Sequence, residues 1–173
     1  FAAELGPTSN PRGELYFALV ALLSSRDALV LRCALVAMYQ LARHGSHAAA
    51  LGGLSCAEML LRILSDYDDS FRVLAAEVIE LLLACDTFAH DVTLHDGIAL
   101  FISLLHADNE PLAPPLLRSI LALIANAPTR AQQLRILGGV HVVVSVLASS
   151  TGGGAVSPPA GLGLAAHQPA PAA

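Results

Sequence analysis

The sequence predicts an all-α fold assembled from one repeated unit, on three observations. Leu (32) and Ala (31), both strong helix formers, supply more than a third of the 173 residues. Four paired apolar steps, Leu22-Leu23, Ile63-Leu64, Leu104-Leu105 and Val146-Leu147, recur at spacings of 41, 41 and 42 residues. Behind the first three pairs the apolar residues stay in register. Seven residues on stand Val30, Phe71 and Leu112, and eleven on stand Ala34, Ala75 and Leu116. Fifteen on come Met38, Ile79 and Ile120, and eighteen on come Leu41, Leu82 and Leu123. Steps of four, four and three mark one buried face of an α-helix.

Punctuation divides each unit into a short helix, a glycine turn, a medium helix, a polar turn and a long helix. The glycine turns are Gly13, Gly52-Gly53, Gly97 and Gly138-Gly139, and the polar turns are Ser24–Asp27, Ser65–Ser70 and His106–Glu110. Ser55-Cys56-Ala57-Glu58 has the spacing of a capping box and is expected to open a medium helix running to about Ser65. Pro114 and Pro115 fit only near the start of the third long helix, which therefore begins late. Pro128 is expected to close that helix. Thr129-Arg130-Ala131-Gln132 then reads as a second capping box, opening a short helix that ends at Gly138.

The units fall at about 12–51, 52–95, 96–137 and, in part, 138–149. Residues 1–11 form a lead-in or the end of a preceding repeat. Sixteen of the 23 residues from Thr151 to Ala173 are Gly, Pro or Ala and none is charged, so this stretch is expected to be a disordered tail or linker. The chain opens on Phe1 with no basic stretch, so no signal peptide is visible, as expected of an excerpt or a processed product.

Composition excludes several chemistries. Charged residues make up 13%, about half the usual share. The chain has no Lys, which removes a P-loop phosphate lysine, a Schiff-base lysine and a kinase strand lysine. A net charge of −5 with nine Arg argues against nucleic acid. Leu15–Ser25, Gly97–Ala107 and Ser119–Thr129 are too short to span a bilayer, and Ile136–Ser150 is broken by Gly138, Gly139 and His141, so no membrane span is expected. Three Cys (33, 56, 85) without a C-x-x-C fit neither a disulfide framework nor a zinc ribbon. A reducing, intracellular setting is the default, cytoplasmic first, with nuclear or ciliary placement also open.

The Gly-Gly-apolar turn, the paired step before a Ser-rich turn and the long helix ending Met38-Tyr39-Gln40-Leu41-Ala42 resemble the armadillo repeat family. The clearest stretch is Asp96 to Leu147, and the resemblance covers about residues 12–149. HEAT repeats, with overlapping periods, are the runner-up. The resemblance implies a right-handed superhelix of about three full units and a partial fourth, whose long helices line a concave binding surface. In armadillo proteins that hold extended basic peptides, each long helix offers a Trp and, four residues on, an Asn. The Trp places here hold Val36, Glu77 and Arg118, and the Asn places hold Gln40, Leu81 and Ala122. One turn earlier stand Cys33, Leu74 and Pro115. With no Trp in the chain and only Gln40 to supply an amide, this surface suits an amphipathic helix better than a basic strand.

Other chemistry-bearing residues read as structural. His90, Asp91, His95 and Asp96, with Asp86 nearby, form the densest set of potential ligands, but no other unit repeats it and no zincin spacing occurs. His44 and His47 are expected to cap the end of the first long helix electrostatically. Cys33 and Cys85 are expected to behave as small hydrophobes. Cys56, at a helix start, is placed where the dipole lowers a thiol pKa. No G-x-S-x-G elbow occurs, and no active site, cofactor or metal is expected.

The expected function is a scaffold or adaptor that binds a protein or peptide. The alternatives are a substrate-binding or regulatory segment of a larger enzyme, such as a ubiquitin ligase with armadillo repeats, and a structural array in a ciliary or cytoskeletal assembly. The fourth unit carries no charge after Arg135 and no third helix, so self-association through the C-terminal end is also expected.

Overall fold

The computed structural model describes residues 11–107, 110–125 and 127–151. The expected lead-in before Pro11 and the tail beyond Thr151 lie outside the described residues. Among those described, the chain forms ten α-helices and no strand. In order they are α1 (Pro11–Leu22), α2 (Ala28–Ala42), α3 (Gly45–Gly52), α4 (Ala57–Asp66), α5 (Asp69–Leu82), α6 (Asp86–Leu94), α7 (Gly97–His106), α8 (Ala113–Ile124), α9 (Pro128–Ile136) and α10 (Gly139–Thr151). None of these is long and apolar enough to cross a membrane singly.

The helices pack by rank within the unit. The long helices α2, α5 and α8 lie side by side, and the medium helices α4, α7 and α10 do the same. Each long helix covers the medium helix before it, as α2 covers α1, α5 covers α4 and α8 covers α7. The short helices turn the corner between units. The pairs α3/α4, α6/α7 and α9/α10 meet at 91°, 72° and 81°. Three near-perpendicular corners in succession are the geometric counterpart of the repeat in the sequence.

Local chemistry accounts for most of the boundaries. Asp27 caps α2, its Oδ1 accepting from the amides of Leu29 (2.8 Å) and Val30 (3.3 Å). Pro114 and Pro115 lie in the first turn of α8, where a missing N–H costs nothing. Pro128, however, does not close α8, which ends at Ile124; it opens α9, its fixed φ suiting a first helical residue. That start displaces the expected Thr129 cap, since Ala127 takes the cap position and Thr129 lies inside the first turn. The expected Ser55 capping box does not form either. Cys56 holds the cap position with no side-chain cap bond, and α4 begins where Cys56 and Ala57 become fully buried. Burial, and not a hydroxyl cap, sets that boundary.

Two glycine turns depend on backbone freedom. Gly138 has φ +71°, a left-handed conformation that glycine adopts without penalty. The matching place before α7 holds Asp96 at φ 54°, the one non-glycine residue with positive φ among those described. Gly97 follows, and a Cβ there would lie 2.7 Å from the carbonyl oxygen of Val92, so only glycine lets α6 and α7 meet so closely.

The core is one continuous cluster running from α1 to α10. The four repeated positions supply its centre. Ala34, Met38, Ala75, Ile79, Leu82, Leu116, Ile120 and Leu123 are buried, Phe71 and Leu41 are half-buried at its margin, and Val30 is half-buried. Medium helices contribute Leu60, Ile63 and Leu64 from α4, and Ile98 and Phe101 from α7. Each full burial of this kind stabilises by about 1.5–3 kcal/mol before chain entropy is counted. Ser119 on α8 is wholly buried with no hydrogen-bond partner, at the place that Ala37 and Val78 occupy in the earlier units.

Candidate functional site

The lateral packing of α2, α5 and α8 makes a ladder of long helices, and its residues are distributed unevenly with respect to solvent. Cys33, Val36 and Gln40 on α2 are exposed. Leu74, Glu77 and Leu81 on α5, the central rung, are half-buried. On α8, Arg118 and Ala122 are exposed, whereas Pro115 is buried in the first turn and offers no accessible surface. The accessible part of the expected surface is therefore two exposed rungs flanking a partly covered one.

Charge ties the last two rungs together. Arg118 Nε donates to Glu80 Oε1 at 2.7 Å, linking α8 to α5. That hydrogen bond, ahead of the attraction of Glu80 and Glu77, raises the Arg118 pKa above its ordinary value. The Arg118 side chain is more than half exposed, so the pair stabilises by about 1 kcal/mol or less and mainly fixes the position of the guanidinium. Sequence reasoning missed Glu80. Arg118 aligns with Glu77 in the repeat, and Glu80 lies one helical turn further along α5, so the pairing rests on how α8 is turned against α5 and not on the register. A depression of about 340 Å³ opens beside this pair, with Glu80, Ala122, Ala125, Asp86 and Arg130 among its walls.

A second depression, of about 520 Å³, lies on the medium-helix side between α4 and α7, walled in part by Glu58, Arg62, His95, Asp96 and Leu100. His95 and Asp96 are the members of the His90–Asp96 stretch that reach it. Among the described residues no group of three or more His, Cys, Asp or Glu side chains is placed to hold a metal ion.

Cys56 and Cys33 differ from expectation, whereas Cys85 is half-buried against the core. Cys56 is fully buried, and desolvation pushes its thiol up to about 12 against any help from the helix end. Cys33 is exposed and does not pack as a small hydrophobe. Cys85 sits at the cap of α6. Burial alone would raise its pKa, but hydrogen bonding to the Thr87 hydroxyl (3.0 Å) and to the Phe88 and Thr87 amides outweighs that and lowers it. His44 follows the end of α2, its amide donating to the Leu41 carbonyl at 2.9 Å, and also occupies the cap position of α3. His47 Nδ1 meets the Tyr16 hydroxyl at 2.5 Å, tying α3 to α1.

Comparison with known proteins adds a fold and one partial sequence likeness. No family model matches the chain. An engineered protein of known crystal structure superposes with a TM-score of 0.71 at 20% identity, over 78% of this chain and 56% of that one. The likeness is one of fold. The serine/threonine-protein kinase Nek10 of Mus musculus is 39% identical over 80 residues, which is 46% of this chain. The chain spans 7% of the length of that kinase.

Proposed function

We propose that the chain is an armadillo-type α-solenoid that binds a segment of another protein along the ladder of long helices. The observation that carries this reading is the side-by-side packing of α2, α5 and α8, which aligns Val36, Gln40, Arg118 and Ala122 on accessible surface. A surface of mixed apolar and amide character, with its charges paired at Arg118 and Glu80, favours an amphipathic helix laid along it. In this reading the protein works as an intracellular scaffold or adaptor and performs no catalysis.

The test is selection of helical peptides from a displayed amphipathic library. Selected peptides are expected to lose at least tenfold in affinity against Val36→Glu and Ala122→Glu. They should bind Ser103→Glu, on the outer side of α7, as they bind the parent. Equal binding to all three variants would overturn the reading.

A second reading is favoured by the Nek10 likeness: the chain is a substrate-binding or regulatory segment of a larger enzyme. The absence of lysine in all 173 residues keeps the phosphate-binding kinase lysine outside this segment. The two readings share the same binding surface and differ in what the bound segment does afterwards.

A further inference from the structure

The depression of about 520 Å³ between α4 and α7 lies on the medium-helix layer, apart from the ladder. Its floor is apolar: Leu61 is buried, and Ala99 and Leu100 are half-buried. Ala99 leaves room on α7 at the place where α4 carries Glu58 and α10 carries His141. Two carboxylates stand at one end, Glu58 in the first turn of α4 and Asp96 just before α7. Neither carboxylate forms a hydrogen bond or an ion pair among the described residues, and Asp96 makes no cap bond to α7. The arginine on the wall, Arg62, turns instead to Asp66 of its own helix at 4.0 Å. This acidic pair occurs in no other unit, since Gly138 takes the place of Asp96 before α10. Asp96 is moreover held at φ 54°, a conformation that strains an aspartate and that Gly138 adopts freely at φ +71°.

We propose that this groove seats a short basic and apolar segment of a partner protein. A Leu, Met or Phe side chain of that segment lies on Leu61 and Leu100, and a neighbouring Arg or Lys reaches Glu58 and Asp96. Charge complementarity selects the occupant: two unpaired carboxylates beside an apolar floor accept a cation and repel an acid, and their field is screened less there than on open surface. Lengthening of the array does not fill the groove. The helices α4 and α7 belong to adjacent inner units, and units added at either end of a solenoid contact only their neighbours. Residues 1–10 and 152–173 contain neither Lys nor Arg, so these segments bring no such cation. The site is separate from the ladder surface of the proposed function and does not rest on it.

The experiment pans a displayed peptide library on the full chain after depletion on a variant carrying both Glu58→Gln and Asp96→Gly. Surviving peptides are expected to hold Arg or Lys beside Leu, Met or Phe. Fluorescein-labelled synthetic copies should lose at least fivefold in affinity, by anisotropy, against Glu58→Gln, Asp96→Gly and Ala99→Leu, and should bind Val36→Glu as they bind the parent. Asp96→Gly separates docking from folding, because its melting temperature should rise while its affinity falls. An absence of survivors would overturn the proposal, as would survivors without a basic residue or affinity unchanged by Ala99→Leu. Two further outcomes would overturn it by naming another occupant. A tenfold gain in peptide affinity on deleting residues 152–173 would place that segment in the groove. A concentration-dependent dimer in sedimentation, abolished by Glu58→Gln, would place a second copy there.

Discussion

The helices α7 and α10 are close to the same sequence read twice. Gly97-Ile98-Ala99-Leu100-Phe101-Ile102-Ser103-Leu104-Leu105 is answered by Gly139-Val140-His141-Val142-Val143-Val144-Ser145-Val146-Leu147, glycine on glycine and serine on serine. Their surroundings diverge. Ile98, Phe101, Ile102 and Leu105 are buried on α7, whereas Val140, Val144 and Leu147 are exposed on α10 and Val143 is half-buried. The local pattern sets which face of a helix is apolar. Burial of that face is set by the neighbour that packs on it, here α8 for α7. Stability in such an array resides in the junctions between helices more than in any helix taken alone.

Truncation at matching places breaks this comparison most directly. Phe101→Ala should destabilise by about 3–5 kcal/mol, since a fully buried ring is lost and a cavity remains. Val143→Ala, at the same place on α10, should cost about 1 kcal/mol. Urea unfolding midpoints measure both, and equal losses would mean that α10 is as well packed as α7.

The next effect appears at high pH and belongs to the covered start of α4, where Cys56 takes the place of Gly97 and Gly139. The buried thiol stays protonated up to about 12, while in the unfolded chain it ionises near its ordinary value of 9.0. The unfolded chain therefore holds fewer protons between those values. The stability this thiol lends is complete below pH 9 and is lost as the pH rises toward 12, at up to about 1.4 kcal/mol per pH unit. Cys56→Ala should flatten that slope in unfolding measured from pH 8 to 11. An unchanged slope would mean that water reaches Cys56.

A smaller pair of effects separates the turns that open the two helices. Asp96→Gly should stabilise by about 0.5–1 kcal/mol, because it relieves a left-handed aspartate. Gly138→Ala should destabilise by about 1 kcal/mol for the converse reason. Thermal melts resolve both, and a loss on Asp96→Gly would assign the aspartate a role beyond the turn.

Much of the helical order was legible because it follows from the apolar register. Ala34, Met38, Ile79 and Leu123 fall inside as their spacing requires. The helices α4 and α9 begin within two residues of where the capping motifs put them, but the Ser55 and Thr129 caps do not form, because burial of Cys56 and the fixed φ of Pro128 decide those boundaries. Ser119 illustrates the same limit: its side chain is polar, but the packing places it where valine or alanine stands in the other units. On the ladder, the accessible positions of α2 could be counted from the repeat. The burial of Pro115 and the Glu80–Arg118 link could not, because both depend on how far α8 is turned against α5.

Hydrogen exchange compares the two helices without altering either. Amides of residues 101–105 on α7 should exchange only through opening of the whole array, with protection close to the global stability. Those of residues 143–147 on α10 should exchange orders of magnitude faster, through local opening that leaves α7 intact. Equal protection of the two stretches would contradict the account, since α10 would then be covered as fully as α7.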